Sequence, residues 1–238
     1  MTKPLTSHLL AQEARASRHF WYRLRARAID RFIAPNSTVL DVGAGAGSLG
    51  HILRESRPDV VYRFREPEPE LHEHLVATFG GTSQAPAGTK FDGATCAVLL
   101  DVIEHVEDDA ELLRAIAREL PTGSTIAVTV PAFKILWSGW DTTVGHFRRY
   151  NRRELRRTLV DAGLTVTDTR YIFLELFPVA VARRVLRRDT GEDFPPIGAV
   201  LNRTLWTIGV ITQTLGRLNP IGTSIVAAAT VNAPHDDR

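Results

Sequence analysis

Residues 38–50 read TVLDVGAGAGSLG, and this stretch decides the fold. Residues 38–42 are typical of a short apolar strand, the glycine loop 43–47 follows, and a helix is expected over 49–55. Glycines allow a tight turn from strand to helix, and they leave space where a ligand approaches the main chain. The stretch therefore predicts a β-loop-α unit that binds a nucleotide-like ligand.

The alternation of strands and helices continues along the chain. Further strands are expected over residues 60–64, 91–100, 125–130, 164–171 and 223–231. The apolar end of the 91–100 segment suits a strand that is buried on both faces, which favours a mainly parallel sheet. Residues 80–90 are mostly glycine, proline and small residues, so the strand expected there is weak or short. The pattern predicts a doubly wound α/β sheet that binds ligands beyond the carboxyl ends of its strands.

The length and composition suit one domain. The chain has 238 residues, 44% of them hydrophobic, which is enough for one core and too little for two ordinary domains. We expect a single domain made of a leading helical segment over 1–36, a ligand-binding core over 37–171, an insertion over 172–222 and a last strand over 223–232. The insertion is apolar but interrupted by charged and amide residues, so it is not expected to span a membrane. It is predicted to be a helical lid over the pocket, with a dimer interface or a membrane-surface contact as alternatives.

The charges are nearly balanced, with 29 basic and 27 acidic residues and a net charge of +2. This balance disfavours a general nucleic-acid binder. One cysteine, Cys96, excludes an internal disulfide framework, and no secretory leader pattern occurs at the N-terminus. We expect a cytoplasmic protein, with peripheral contact to a membrane as an option, and the choice between monomer and homodimer stays open.

The glycine loop is compatible with two kinds of cofactor. Residues 45–50 satisfy the pattern G-x-G-x-x-G, and Glu66 follows at about the distance expected of a ribose-binding acid in a nicotinamide or flavin site. Asp41 stands just before the first glycine, where a carboxylate would repel a pyrophosphate but could hold the cationic amino-acid part of S-adenosylmethionine. Asp41 therefore favours S-adenosylmethionine, with Glu66 accepting hydrogen bonds from its ribose hydroxyls.

A second group of polar residues follows two other predicted strands. Asp101, Glu104 and His105 come directly after the 91–100 strand, and His146 comes after the 125–130 strand. Methyl transfer is an in-line displacement, so the protein must hold the acceptor, exclude water and remove a proton. His105, His146 and Glu104 are the candidate catalytic residues, and either histidine could act as a general base at neutral pH. In the alternative interpretation, Glu104 and His105 only cap the turn.

The motifs together closely resemble the class I S-adenosylmethionine-dependent methyltransferases. The resemblance rests on the glycine loop, on Glu66-Pro67 and on residues 100–106, LDVIEHV. Residues 145–150, GHFRRY, are similar to a bacterial group of small-molecule methyltransferases of type 11 or 12. The resemblance spans residues 19–231 and implies a Rossmann-like sheet of seven strands with the last one antiparallel. The cofactor-binding positions that it implies are Asp41, Gly43, Ala44, Gly45, Gly47, Glu66, Pro67, Leu100 and Asp101.

The turn after the 91–100 strand also resembles a metal site. An acid followed by Glu-His and by a distant histidine looks like the pattern of the small-RNA 2′-hydroxyl methyltransferases, and partly like that of the ubiquinone-pathway O-methyltransferases. The ligands implied are Asp101, Glu104, His105 and His146, although Asp101 stands where the RNA enzymes have Glu. Mixed carboxylate and imidazole ligands suit magnesium, manganese or zinc, which would lower the pKa of a bound hydroxyl.

These features predict an S-adenosylmethionine-dependent methyltransferase that acts on a hydroxyl of a small or lipid-linked acceptor, such as a sugar or a phenol. Arg148 and Arg149 lie next to the predicted pocket and could clamp a phosphate or carboxylate of the acceptor. The alternatives are an RNA ribose methyltransferase and a non-catalytic S-adenosylmethionine-binding protein. The low net charge disfavours the first, and the group made of Asp101, Glu104, His105 and His146 disfavours the second.

Overall fold

The described residues of the computed structural model form a mixed sheet of six strands, and the glycine loop follows the carboxyl end of the first strand. The strands are β1 (Thr38–Val42), β2 (Val61–Arg65), β3 (Cys96–Leu100), β4 (Thr125–Pro131), β5 (Leu164–Ile172) and β6 (Ser224–Val231). The spatial order is β2-β1-β3-β4-β6-β5, in which the first four strands are parallel and β6 is antiparallel to both of its neighbours. The structure describes residues 6, 7, 9–11, 13, 17–88, 90, 91, 93–186 and 197–233.

Helices cover both faces of this sheet. They are α1 (Phe20–Asp30), α2 (Ser48–Ser56), α3 (Pro69–Phe79), α4 (Asp109–Glu119), α5 (Gly139–Val144), α6 (Arg152–Asp161), α7 (Phe177–Val185) and α8 (Ala199–Leu215). One hydrophobic cluster joins the sheet to α1, α2 and α8, and a second cluster joins the other face to α4 and α6. The predicted doubly wound α/β fold with an antiparallel last strand is therefore confirmed. Among the described residues, no helix is long and apolar enough to cross a bilayer.

The predicted strand count is wrong by one. Instead of a seventh strand, residues 80–90 contribute a short 3₁₀ turn over Gly81–Ser83 and a single bridge between Gln84 and Phe64. The physical reason is local: two glycines open the segment, and Pro86 has no N–H with which to extend a ladder. The strand predicted over 91–100 is also shorter than expected, since β3 begins at Cys96, and Asp92 lies outside the described residues.

The connection into the last strand depends on a close backbone contact at Gly222. The chain returns from α8 to start β6 beside the end of β5, where Ile172 pairs with Ser224. A Cβ atom added to Gly222 would lie 2.2 Å from the carbonyl oxygen of Ile172. A backbone atom cannot swing aside as a flexible side chain can, so the position requires glycine for steric reasons.

We predict that Gly222→Ala destabilises the protein by about 2 kcal/mol or more, because the new methyl group forces β6 away from β5. Gly81→Ala is the matched control, since a Cβ atom there meets nothing within 4 Å. Urea unfolding of the two variants and the wild type measures the difference. Equal stability of the two variants would show that the contact at Gly222 relaxes freely.

Candidate active site

A cavity of about 290 Å³ lies at the carboxyl ends of β1, β3 and β4. Its walls come from the glycine loop, the turn after β3, helix α1 and helix α7. Six of the predicted cofactor-binding residues line it: Asp41, Gly43, Ala44, Gly45, Leu100 and Asp101. The predicted catalytic residues Glu104, His105 and His146 line the same cavity, whereas Gly47, Glu66 and Pro67 are not among its lining residues. Parallel strands that end at one sheet edge explain why residues distant in sequence meet here.

The glycines of the loop serve different purposes. Gly43, Gly45 and Gly47 all have positive φ angles, of 70°, 58° and 80°. At Gly47 an added Cβ atom would lie 2.6 Å from the Phe79 ring, so this glycine is needed for packing against α3. At Gly45 the nearest side chain is Leu9, 3.4 Å away, and the loop faces the cavity. Gly45 is thus the position where main chain is exposed to a ligand.

Glu66 accepts a hydrogen bond from the glycine loop and does not itself line the cavity. Its Oε2 accepts a hydrogen bond from the Gly45 N–H at 2.8 Å, and its Oε1 accepts one from the Glu68 N–H at 2.9 Å. Burial raises the pKa of this carboxyl, while the two backbone hydrogen bonds oppose the shift. Glu66 therefore lies next to the cavity and contacts the loop that forms its floor.

Asp41 is a buried carboxyl at the end of β1. Its Oδ2 accepts a hydrogen bond from the Tyr62 hydroxyl at 2.9 Å. Burial raises the pKa of Asp41 to about 7, although the hydrogen bond from Tyr62 and the nearby charge of Arg25 favour the ionised form. A cationic group that enters the cavity beside Asp41 would complete its ionisation. Sequence analysis did not find Tyr62, because a tyrosine in an amphipathic strand is usually a packing residue.

Asp101 is held by residues outside its own turn. Its Oδ2 pairs with Nη1 of Arg25 at 2.5 Å, and its Oδ1 accepts from the Thr129 hydroxyl at 3.2 Å. The Arg25 guanidinium in turn lies over the Trp21 ring, 4.2 Å from its centroid. Asp101 is not in the group that the other three predicted metal ligands form, although its charge acts on Glu104. Arg25 is one of several arginines on α1. The sequence does not show which of them is buried, so its contact with Asp101 was not predicted.

The structure brings Glu104, His105 and His146 together. One possible ligand atom from each residue lies within 4.8 Å of the other two. Glu104 is fully buried, and neither carboxylate oxygen has a hydrogen-bond partner within the described part of the chain. Burial raises the pKa of Glu104 well above its usual range, and the charge of Asp101 adds to this. An unpaired buried carboxyl is costly, so this group favours a proton or a cation.

The two imidazole rings of this cluster differ in their surroundings. Their centroids are 4.5 Å apart, with the rings nearly perpendicular. Burial, together with the charge of the neighbouring His146, lowers the pKa of His105 to about 4, so His105 is neutral at pH 7. His146 has a fixed partner, since its Nδ1 lies 2.7 Å from Oδ1 of Asp141. With the proton assigned to Nδ1 by this contact, Nε2 of His146 is the free acceptor, 3.9 Å from Oε1 of Glu104.

Asp141 is itself anchored by a two-point ion pair. Nε and Nη2 of Arg149 donate to its two carboxylate oxygens at 2.8 and 2.9 Å. Although burial alone would raise the pKa of Asp141, the hydrogen bonds from His146 and Arg149 lower it below its usual range. Arg149 lines the cavity, and its guanidinium donates to Asp141 and to the Ala132 carbonyl, so that its clamping of an acceptor stays a prediction. Arg148 contacts Asp109 and the Glu107 carbonyl.

Comparison with known proteins places the chain in a family. A family model described as a methyltransferase domain matches residues 13–169. No curated protein matches the chain in sequence.

Three solved structures illustrate the fold. A chain of the complex between the Haloferax volcanii Trm112 methyltransferase activator and a methyltransferase is 17% identical, with a TM-score of 0.66 and coverage of 98% of this chain and 100% of that one. A Thermotoga maritima methyltransferase dependent on S-adenosylmethionine is 14% identical, with 91% of each chain covered and a TM-score of 0.55. Phosphoethanolamine N-methyltransferase 2 of Haemonchus contortus, in complex with S-adenosylmethionine, is 12% identical, with a TM-score of 0.58 and coverage of 89% of this chain and 53% of that one. At these identities the likeness concerns the fold alone.

We predict that Asp41 makes the free protein less stable as the pH rises from about 4 to about 7, because its pKa rises from 3.8 in the unfolded chain to about 7 in the fold. Over this interval the folded state holds a proton that the unfolded chain has lost, so the stabilisation is complete at the acid end and absent above it. Asp41→Asn removes this contribution. Urea unfolding at several pH values should show the difference between wild type and variant falling by a few kcal/mol, and a difference independent of pH would contradict the assignment.

Proposed function

This chain belongs to the methyltransferase domain family, and from the geometry of its cavity we propose that it methylates a hydroxyl oxygen of a small or lipid-linked acceptor. It is a class I methyltransferase with a Rossmann-like fold, and S-adenosylmethionine is its methyl donor. The choice of a hydroxyl acceptor depends on one observation: His146, a partly buried histidine whose Nδ1 is fixed by a carboxylate, lines the cavity and has Nε2 available as an acceptor. Such a pair is suited to removing a hydroxyl proton.

The donor fits the residues at the floor of the cavity. The carboxyl of Asp41 would pair with the cationic amino group of the donor, since burial leaves this carboxyl poorly stabilised in the free protein. Glu66 would accept from the ribose hydroxyls, because each of its oxygens makes one hydrogen bond and retains a free lone pair. The exposed main chain at Gly45 would let the donor approach closely.

His146 would act as the general base, with Asp141 as a positioning residue. The acceptor oxygen forms a bond to the methyl carbon, the bond from that carbon to sulfur breaks, and its electron pair stays on sulfur, which becomes a neutral thioether. The hydroxyl proton passes to Nε2 of His146. Asp141 stabilises the imidazolium that results, and Arg149 keeps Asp141 ionised and in place.

The same cluster fits a divalent metal. Glu104, His105 and His146 would hold it, and the unpartnered carboxylate of Glu104 supplies the charge that such a ligand set needs. The contact between His146 and Asp141 is the kind that orients a metal-bound histidine. When bound, the metal would lower the pKa of the acceptor hydroxyl. Asp101 is left out of this ligand set, because among the described residues only Glu104, His105 and His146 have ligand atoms within 4.8 Å of one another and Oδ2 of Asp101 pairs with Arg25.

The cavity wall opposite the glycine loop suits an acceptor with an apolar part. Leu136, Trp140 and Val144 come from the segment after β4, and Leu176 and Val179 come from the insertion. The insertion thus contributes to the pocket through α7, whereas α8 is absent from its lining. We therefore assign the role of a lid to α7 and not to the whole insertion.

Transfer of an isotopically labelled methyl carbon tests the proposed acceptor chemistry. The protein is incubated with the labelled donor and with separate extracts of small molecules, lipids and RNA. The magnetic resonance shift of the transferred carbon should identify a methyl ether in the small-molecule or lipid fraction. Label on nitrogen would overturn the proposal of a hydroxyl acceptor, and label in RNA would favour the RNA ribose alternative.

We predict that His146→Ala lowers turnover by about 10²- to 10⁴-fold, the usual contribution of a general base, while donor binding is retained. Asp141→Asn should cause a smaller loss and change the pH profile, because it weakens the orientation of the imidazole. His72→Ala, on α3 outside the cavity, is the matched control. Calorimetry with the donor separates binding from turnover, and unchanged turnover in His146→Ala would rule out the base.

Removal of metal distinguishes the two versions of this mechanism. If Glu104, His105 and His146 hold a divalent ion, a chelator should abolish turnover and leave donor binding intact, and added magnesium, manganese or zinc should restore it. Full turnover after exhaustive chelation would remove the metal from the mechanism and leave His146 as the base.

A further inference from the structure

Helix α8 packs against α1 and places two amide side chains, Asn202 and Gln213, on this inner face. Oδ1 of Asn202 accepts a hydrogen bond from the Phe20 N–H at 2.8 Å. Nε2 of Gln213, near the other end of the helix, donates to the Leu24 carbonyl at 2.8 Å. The amide groups therefore face the protein, where the backbone of α1 satisfies them.

The outward side of α8 carries aliphatic residues together with three threonines, Thr204, Thr207 and Thr214, whose hydroxyls donate to carbonyls of the helix itself. Ile211 is 59% exposed and Leu218, just beyond the helix, is 80% exposed. The other exposed aliphatic residues on this side are Val200, Leu201, Ile208 and Leu215. Arg203 is the one charged residue in the 17-residue helix. A stripe of this kind along a helix marks a surface that contacts something other than water.

Helices α7 and α8 both contact the 3₁₀ turn Leu174–Leu176, and α7 also carries exposed aliphatic residues. Val185 is 75% exposed, and Val179 and Leu186 are exposed with it. Val179 also lines the cavity, together with Arg183 and Arg184 on the same helix. We call the exposed aliphatic residues of α7 and α8, with Leu186 and Leu218, the outer face. Val179 belongs both to the outer face and to the cavity wall.

The charges of the two segments that form the outer face indicate which kind of partner it contacts. The arginines with described side chains in residues 177–186 and 197–218 are Arg183, Arg184 and Arg203, and these segments contain no aspartate or glutamate. A basic, aliphatic surface complements an anionic lipid surface, where arginines pair with headgroups and aliphatic side chains enter the acyl boundary. A second copy of the same face would bring arginines against arginines, which disfavours self-association.

We propose that the outer face docks on an anionic lipid surface. Docking places the cavity mouth, through Val179 and α7, at the level of the lipid headgroups. An acceptor with a lipid tail then enters the cavity without leaving the membrane. The proposal of lipid docking depends only on the exposed residues and charges of α7 and α8. The preference for a lipid-linked over a free acceptor rests on the proposed function.

Vesicle sedimentation of the full chain tests the docking surface. The wild type is mixed with vesicles of phosphatidylcholine alone or of phosphatidylcholine with phosphatidylglycerol. It should sediment with the second kind and lose this binding as salt is raised. The double variant Ile211→Glu with Leu215→Glu should lower the partition by roughly tenfold or more, because two charges would enter the acyl boundary.

The matched control is Val61→Glu with Val160→Glu, which makes the same change of charge at exposed positions on β2 and α6. It should sediment like the wild type, and calorimetry with the donor verifies that both variants are folded. Absence of sedimentation at low salt, or an equal loss in both variants, would overturn the proposal. So would a dimer that the α8 variant dissociates without any effect on vesicle binding. Docking without methyl transfer to any hydroxyl would count against the proposed function only.

Discussion

Parallel hydrogen bonding of β1, β3 and β4 is the constraint on which the rest of the molecule depends. Asp41 is paired in register with Val98, and Leu100 with Thr129, so the three strands end at one edge of the sheet. The turns that follow these strands have to leave the sheet in the same direction. The polar side chains proposed to take part in the chemistry follow one of these strand ends or pack against it.

This convergence gathers buried acids, and each is accommodated differently. Glu66 is satisfied by backbone N–H groups, and Asp141 by a guanidinium and an imidazole. Asp41 has a tyrosine hydroxyl and a pKa near neutrality. Glu104 alone of these four has no hydrogen-bond partner in the described structure, although it is fully buried. The cavity thus contains a buried carboxyl that favours a proton or a cation.

The sequence predicted those parts of the site that follow from the order of strands and loops. The glycine loop, the carboxyl at Asp41 and the meeting of Glu104, His105 and His146 all result from strands that end at one edge. The interaction of Arg25 with Asp101 joins residues 76 positions apart through the packing of α1, which no local pattern specifies.

The roles of Asp141 and Arg149 show why local patterns were insufficient. Asp141 lies three residues after Ser138, in a capping box that accounts for an acid at the start of α5. The same carboxylate also contacts Arg149 and orients His146, and a local signal cannot reveal that second use. Arg149 stands in an arginine-rich segment typical of an exposed helix, so its burial depends on the tertiary fold.

The reduced seventh strand has a visible local cause in its glycines and Pro86.

The hydrogen bond from the Gly45 N–H to Glu66 has a consequence for affinity. Glycine loops have many accessible conformations, and a ligand that had to order one would lose conformational entropy on binding. Here the carboxylate already fixes the loop in the free protein, with the positive φ angle of Gly45 in place. The loop is therefore preorganised: the entropic cost of its shape is met during folding, and a ligand gains nearly the full value of its contacts.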